Sequence, residues 1–525
     1  MGSVPESLPH GVSVDMATQP SNLKDVATLL NSISTLGVSS LDNEQNRLNL
    51  LKQARLLVQA LETPRETMIK HLWAQPATSC AIASGVESGL FDYMARNPGP
   101  KTVARLAAEL DFEKDLLARS MRHLASTGYL RETGVDEYET NHFSKSLTLP
   151  IIGSAYSCVV GGVWPTFCNF PTYLKKNGRR MTPEIRPLQD AIGSNKDFFT
   201  HIMEKYPAGE FQQFMKGYGQ GRRLWMDPDF YPVVERLVNG ADTTSSDAAF
   251  IVDIGGGIGH DLDEFCRKQP SAPGRHVLQD LPHVLSQAQV QDLDPKIELM
   301  PYNFNTEQPV KGARAYYLHS VLHDWTDEVC ESILARVKAA MRAGYSRLLI
   351  NENVIPSKGA DWQVTALDMV MMTVFASRER KEEEWYQLLE GAAGLRIVKI
   401  WSRGEGSESL IESLAETAGA HIKQQAARTF GFKSLPPAMT VSTALRGLAN
   451  EHEYSAVRVY IEGLYRTISK KFSLIYGTVI VEEITKLKND IKGLEVQDLE
   501  VEGTPSYSEA SEGQEDVKMK HAESA

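Results

Sequence analysis

The chain has 525 residues, 42% hydrophobic and 23% charged, the composition of a globular protein large enough for several domains. Its formal net charge of -12 argues against a protein that coats nucleic acid or anionic membrane by bulk electrostatics. The five cysteines, Cys80, Cys158, Cys168, Cys266 and Cys330, form no CxxC pair and no zinc spacing, so reduced thiols and a cytoplasmic location are expected.

The first stretch, MGSVPESLPHGVSVD, lacks the basic and apolar regions of a secretory signal. Glu6 stands where myristoylation needs Ser or Thr. Residues 1–45 read as a flexible Ser/Asn/Thr-rich arm with one short helix. From LNLLKQARLLVQAL the period is helical through about Tyr93. The section KTVARLAAELDFEKDLLARSMRHLASTGYLRETGVDEYETN then reads as helix, turn, helix and two short strands. That is a winged-helix outline, closing a helical region over 46–150. Such an outline raises the reading of a regulatory or scaffold protein. Arg119, Arg122 and His123 are, however, interleaved with Glu109, Asp111, Glu113 and Asp115, without a basic stripe. No nucleic-acid partner is expected; dimerisation or substrate capping suits the region better.

Residues 151–240 are helical in pattern and rich in aromatics. The run IIGSAYSCVVGGVWPTF is short and broken by Gly, Ser and Pro, which predicts a buried core helix and no membrane partner. Trp164, Phe167 and Trp225 are candidate walls of a pocket for a flat apolar substrate.

From Ala249 the strands FIVDI, HVLQD, IELMP, ARAYYLH, SRLLINE and LRIVKIW alternate with helices. Over 241–412 this predicts an α/β fold, a Rossmann-like doubly wound sheet. Ligands of such sheets sit at the carboxyl ends of the strands. One rim therefore gathers the glycine loop, Asp280, His323 and Glu352. The spacing Gly255-x-Gly257-x-Gly259 is one residue shorter than the dinucleotide fingerprint and is the usual loop for S-adenosylmethionine (SAM). About twenty residues on, Asp280 is placed to accept from ribose hydroxyls, or else to cap the helix PHVLSQAQ. Asn303 and Phe304 offer a polar edge and an aromatic face to an adenine. In SVLHDWTDE two readings compete. Asp324 or Thr326 caps a helix over buried Trp325, or His323 is a general base at the end of a strand. Beyond residue 412, Val457, Ile461, Leu464, Ile468, Phe472, Ile475 and Val479 make one helical stripe in an extension over 413–493. Residues 494–525 are acidic and poor in apolar groups, a composition that predicts disorder.

The markers VDIGGGIG, LQDLP, LHDW, NENVIP and the RER before EEEWYQLLEGAAG occur in one order between about Asn46 and Glu412. This stretch resembles the plant-and-fungal type of SAM-dependent O-methyltransferase, the group of the caffeic acid and flavonoid enzymes, and most of all its fungal secondary-metabolite branch. The resemblance implies that Gly255, Gly257 and Asp280 hold the methionine and ribose parts of SAM, and that Asn303 and Phe304 face the adenine. It makes His323 the base, flanked by Glu352 and Glu379. It also implies a homodimer formed through the N-terminal helices. Three departures stand out. Asn303 replaces the usual Asp, His319 stands at a cofactor contact where plant members carry Lys, and about a hundred residues follow the last strands.

A phenol, with pKa ~10, is not ionised in the ground state by an imidazole of about 6.5. Removing its proton as the oxygen–methyl bond forms avoids that penalty, so base catalysis suffices and no metal is expected. The leading expectation is methyl transfer from SAM to a phenolic or enolic hydroxyl of a small aromatic metabolite. A SAM-binding relative that catalyses dehydration or a pericyclic step without transfer is the alternative. The presence of His323, Glu352 and Glu379 together favours transfer.

Overall fold

The computed structural model describes residues 9–415, apart from 38–40, 42, 182–184, 220, 246, 289–291 and 405. The expected helical extension and acidic tail lie outside the described residues from 416 onward.

Apolar residues at Val26, Leu29, Leu30 and Ile33 put a stripe on one face of the helix Leu23–Leu36, which packs along the helix Glu44–Leu61. Backbone bonds from Ser21 to Glu62 and from Asn22 to Ala60 tie the start of the first to the end of the second. Thr63 and Glu66 then form a capping box with Pro64 in the first turn, and the chain continues as helices through Arg96. Strand β1 (Lys101–Thr102) leads into helices Val103–Glu109 and Lys114–Ser126, followed by the hairpin β2 (Leu130–Gly134) and β3 (Glu137–Thr140). These three strands pair in the order β1-β3-β2. Val103, Leu106, Leu117, Met121, Leu124 and Tyr138 are the buried centre of this part.

The stretch Pro150–Lys176 is apolar and long enough to cross a membrane by length and composition. Here it packs against helices Gln75–Glu87 and Glu210–Tyr218. Gly217 permits the last contact, because a Cβ there would overlap the carbonyl oxygen of Ile151.

The remaining strands are β4 (Ala249–Ile254), β5 (Arg275–Asp280), β6 (Ile297–Pro301), β7 (Ala315–His319), β8 (Arg347–Glu352), β9 (Val354–Ile355), β10 (Arg380–Lys381), β11 (Leu395–Trp401) and β12 (Ser409–Ala415). Seven of them form one sheet in the order β11-β12-β8-β7-β4-β5-β6. Strands β4 to β8 run parallel, and β12 pairs antiparallel with β8. Every residue of β4 is buried, as a central strand covered on both faces must be. The chain leaves β4 toward β5 on one side and returns as β7 on the other. The crevice above that switch is where a ligand belongs. Strands β9 and β10 form a separate parallel pair, Val354 opposite Arg380.

Candidate active site

Strand β4 runs directly into the glycine loop, where Gly255, Gly257 and Gly259 have φ of 73°, 61° and 86°. A side chain would strain all three. Nothing lies within 4 Å of where a Cβ on Gly257 would stand, so the loop presents open backbone to the crevice. Asp280, at the end of β5, accepts from the Gly257 N–H at 2.9 Å and from its neighbour Leu281 at 2.7 Å. Its carboxylate thus joins the loop at the rim. Burial raises its pKa, opposed by those two N–H groups. Asn303 and Phe304 follow β6. Asn303 is exposed, with its side-chain oxygen accepting from the Asn305 N–H, and Phe304 stands edge-on to Trp325 with ring centroids 5.7 Å apart. These groups fit a SAM nucleoside: bare backbone, a carboxylate for the ribose and an aromatic face for the base.

Beneath the loop lies Asp253, 1% exposed, with neither oxygen partnered among the described residues. Burial pushes its pKa well above the usual carboxylate range. A Cβ on Gly256 would collide with Asp253 Oδ2 and come 2.5 Å from Leu278 Cδ1. Gly256→Ala is therefore expected to lower stability by about 1–3 kcal/mol through overpacking. A fall in Tm together with weaker SAM binding in calorimetry would register this. An unchanged Tm would show that the loop has slack.

The turn Leu322–Asp324 carries the candidate base, and the residue two before it, Ser320, has φ 51° without being glycine. His323 is 6% exposed. Its Nδ1 meets Glu379 Oε1 at 2.7 Å, while Glu352 Oε2 is 3.7 Å from the same nitrogen. Asp324 Oδ1 lies 3.6 Å from Nε2. Glu352 serves the backbone instead: its Oε1 accepts from the N–H groups of Val321, Leu322 and His323 at 3.1, 2.8 and 3.3 Å. Of the two expected supports, Glu379 holds the ring and Glu352 holds the turn. The helix that follows starts after Thr326 and not after Asp324, and the Thr326 side chain makes no capping hydrogen bond. Burial pulls the imidazolium down, but the charges of Glu352, Asp324 and Glu379 outweigh it and hold His323 up at about 10. Burial in turn raises Asp324 to about 7 against the pull of His323.

His319, expected at the cofactor, is held between two carboxylates. Nδ1 is bound to Asp261, and Nε2 meets Glu408 Oε2 at 3.0 Å, so neither nitrogen remains for a cofactor. Burial opposes its charge, yet the two carboxylates raise its pKa well above the usual value. The ring joins β7 to the first turn of the helix His260–Lys268 and to the residue before β12.

The three candidate pocket walls do not converge. Trp225 is buried in the core beside β4, stacked on Phe265 with centroids 5.6 Å apart. Trp164 is half-buried at the start of the helix Trp164–Lys176. Phe167 alone joins an aromatic cluster with Phe198, Phe199, Phe211 and Phe375. The turn Met371–Phe375 of that cluster packs against the histidine turn. Sequence reasoning missed Arg380, Asp261 and Glu408. Arg380 stood in a quoted motif without a role, Asp261 directly follows the loop, and nothing local marked Glu408.

A sheet of this strand order, with a bare glycine turn after one strand and a carboxylate ending the next, is the frame of a SAM-dependent methyltransferase. The sequence profile of an O-methyltransferase domain matches residues 229–396. The O-methyltransferase mfmE of Annulohypoxylon moriforme is 32% identical over 411 residues, covering 78% of this chain and 98% of that protein. Among solved structures, one named "A Pericyclic Reaction enzyme" matches with TM-score 0.66 and 28% identity over 75% of this chain and 100% of that one. A LepI complex with SAM matches with TM-score 0.65 and 28% identity, over 75% of this chain and 99% of that one. The chain belongs to the plant-and-fungal family of SAM-dependent O-methyltransferases.

Proposed function

We propose that the enzyme methylates a phenolic or enolic hydroxyl of an aromatic secondary metabolite, with His323 as general base. The observation that carries this is the Nδ1 bond to Glu379 at 2.7 Å, which fixes the ring and leaves Nε2 to take the hydroxyl proton. SAM supplies an electrophilic methyl on a sulfonium. Gly255, Gly257 and Asp280 would hold its methionine and ribose, and Asn303 and Phe304 its adenine. The aromatic cluster behind the histidine turn supports a flat apolar acceptor. At rest the imidazole carries its proton among three carboxylates. It acts as base once that proton is lost, and a cation brought to the same carboxylates favours the loss.

The N-terminal helices support a homodimer, since Leu72 and Trp73 there stand 67% and 69% exposed. Light scattering of the full chain is expected to give twice the monomer mass, and a monomer at micromolar concentration would refute it.

A second reading, a dehydration or pericyclic step without transfer, is favoured by the likeness to the solved pericyclic enzyme. The test is incubation with SAM and aromatic metabolites under mass spectrometry. One added methyl with equimolar S-adenosylhomocysteine (SAH) supports transfer. Consumption of the acceptor with no SAH supports the second reading.

A further inference from the structure

A three-residue turn has almost no internal bonding, so something else must hold the peptide from which His323 projects. Its N–H pole is gathered by Glu352, as described. Its carbonyl pole is gathered by Arg380, 1% exposed, whose Nη1 donates to Leu322 O at 2.9 Å and whose Nη2 donates to Trp325 O at 2.9 Å. The same guanidinium reaches Asp327 Oδ1 from Nε at 2.9 Å, and Cys330 Sγ at 3.3 Å. Those partners all lie within the turn and the first helical turn after it.

We propose that Arg380 is a positioning residue for methyl transfer. Through the carbonyls of Leu322 and Trp325 it fixes the backbone under His323, while the adjacent Glu379 fixes the ring. The placement follows from the fold. Strand β10 begins at Arg380 and is registered on Val354 of β9, two residues beyond Glu352 at the end of β8, so one short stretch of chain brings the carboxylate and the guanidinium to the turn. A buried Arg acting only as a countercharge would not need this geometry. Two carbonyls flanking the His323–Asp324 pair are spanned by one planar fork, which a lysine cannot reproduce.

This inference rests on His323 being the base. The experiment compares Arg380→Lys, His323→Ala and the double variant, with Arg380→Ala for chemical rescue. Arg380→Lys is expected to keep SAM affinity and lose about 10²-fold in kcat, the scale of a displacement near 1 Å. Added guanidinium at non-denaturing concentration is expected to restore part of the Arg380→Ala rate, whereas methylammonium restores none. In the His323→Ala background, Arg380→Lys is expected to change nothing further, because it acts through the imidazole. Wild-type kcat in Arg380→Lys overturns the proposal, as does parallel loss of SAM binding or a fully additive double variant. Near-normal turnover in His323→Ala removes the base reading and this proposal with it, whereas an inactive His323→Ala beside a fully active Arg380→Lys removes the proposal alone. Should Arg380→Ala fail to fold, the lysine variant and its cycle decide the matter.

Discussion

His323→Ala is expected to lower kcat by about 10²–10⁴-fold, the usual contribution of a positioned general base, while SAM binds as before. The separation follows from the site. The groups suited to SAM lie on the glycine loop and at the ends of β5 and β6, whereas His323 lies past β7 on its own turn. Alanine removes the proton acceptor and leaves Glu352 holding the three N–H groups of the turn. It also leaves Glu379 without its ring partner, so some loss of Tm should accompany the loss of rate. Steady-state kinetics with calorimetric SAM titration checks this. Turnover like that of the native enzyme would end the proposed mechanism.

The second large effect is on pH. His323 titrates at about 10 in the free protein, because burial, which disfavours its charge, is outweighed by Glu352, Asp324 and Glu379. A base is competent only when unprotonated, so the sign is fixed: activity rises with pH. Below that value kcat/KM for SAM, which reports the free protein, should climb roughly tenfold per pH unit, and only above it should the profile flatten. SAM carries a positive sulfonium and SAH does not. The free enzyme should therefore release protons on binding SAM, measurable by calorimetry in buffers of different ionisation enthalpy, and release few on binding SAH. In His323→Gln the difference should vanish. A flat profile between neutral pH and about 9, or equal proton release with both ligands, would contradict the assignment.

These expectations draw on parts of the molecule that were legible to different degrees. The glycine loop could be read because its meaning is local: a buried strand ending in glycines must turn, and the turn must leave backbone open. His323 could be read as a candidate base because it follows a strand in a sheet whose rim binds ligands. The division of labour between Glu352 and Glu379 could not. Both are acids within reach of one imidazole, and which one meets Nδ1 depends on distances set by β8 and by the segment before β10. The surroundings of His319 were hidden for the same reason. Its partners Asp261 and Glu408 are 58 and 89 residues away, and only the sheet order brings them to its two nitrogens. Trp225, read as a pocket wall, packs in the core and also borders a cavity with Arg222, Phe230, Ile258 and His319, a placement that an aromatic side chain does not announce in the sequence.

By itself the sequence determined the α/β class, the SAM-type loop and the presence of a histidine with acids nearby. Those follow from periodicity and from residue types that chemistry restricts. Tertiary structure alone decided which carboxylate orients the imidazole, which gathers the peptide, and that Arg380 closes the other end of the turn. Hydrogen bonding is effective only over about 3 Å, and separations that short between residues far apart in the chain exist only once the strands have taken their order.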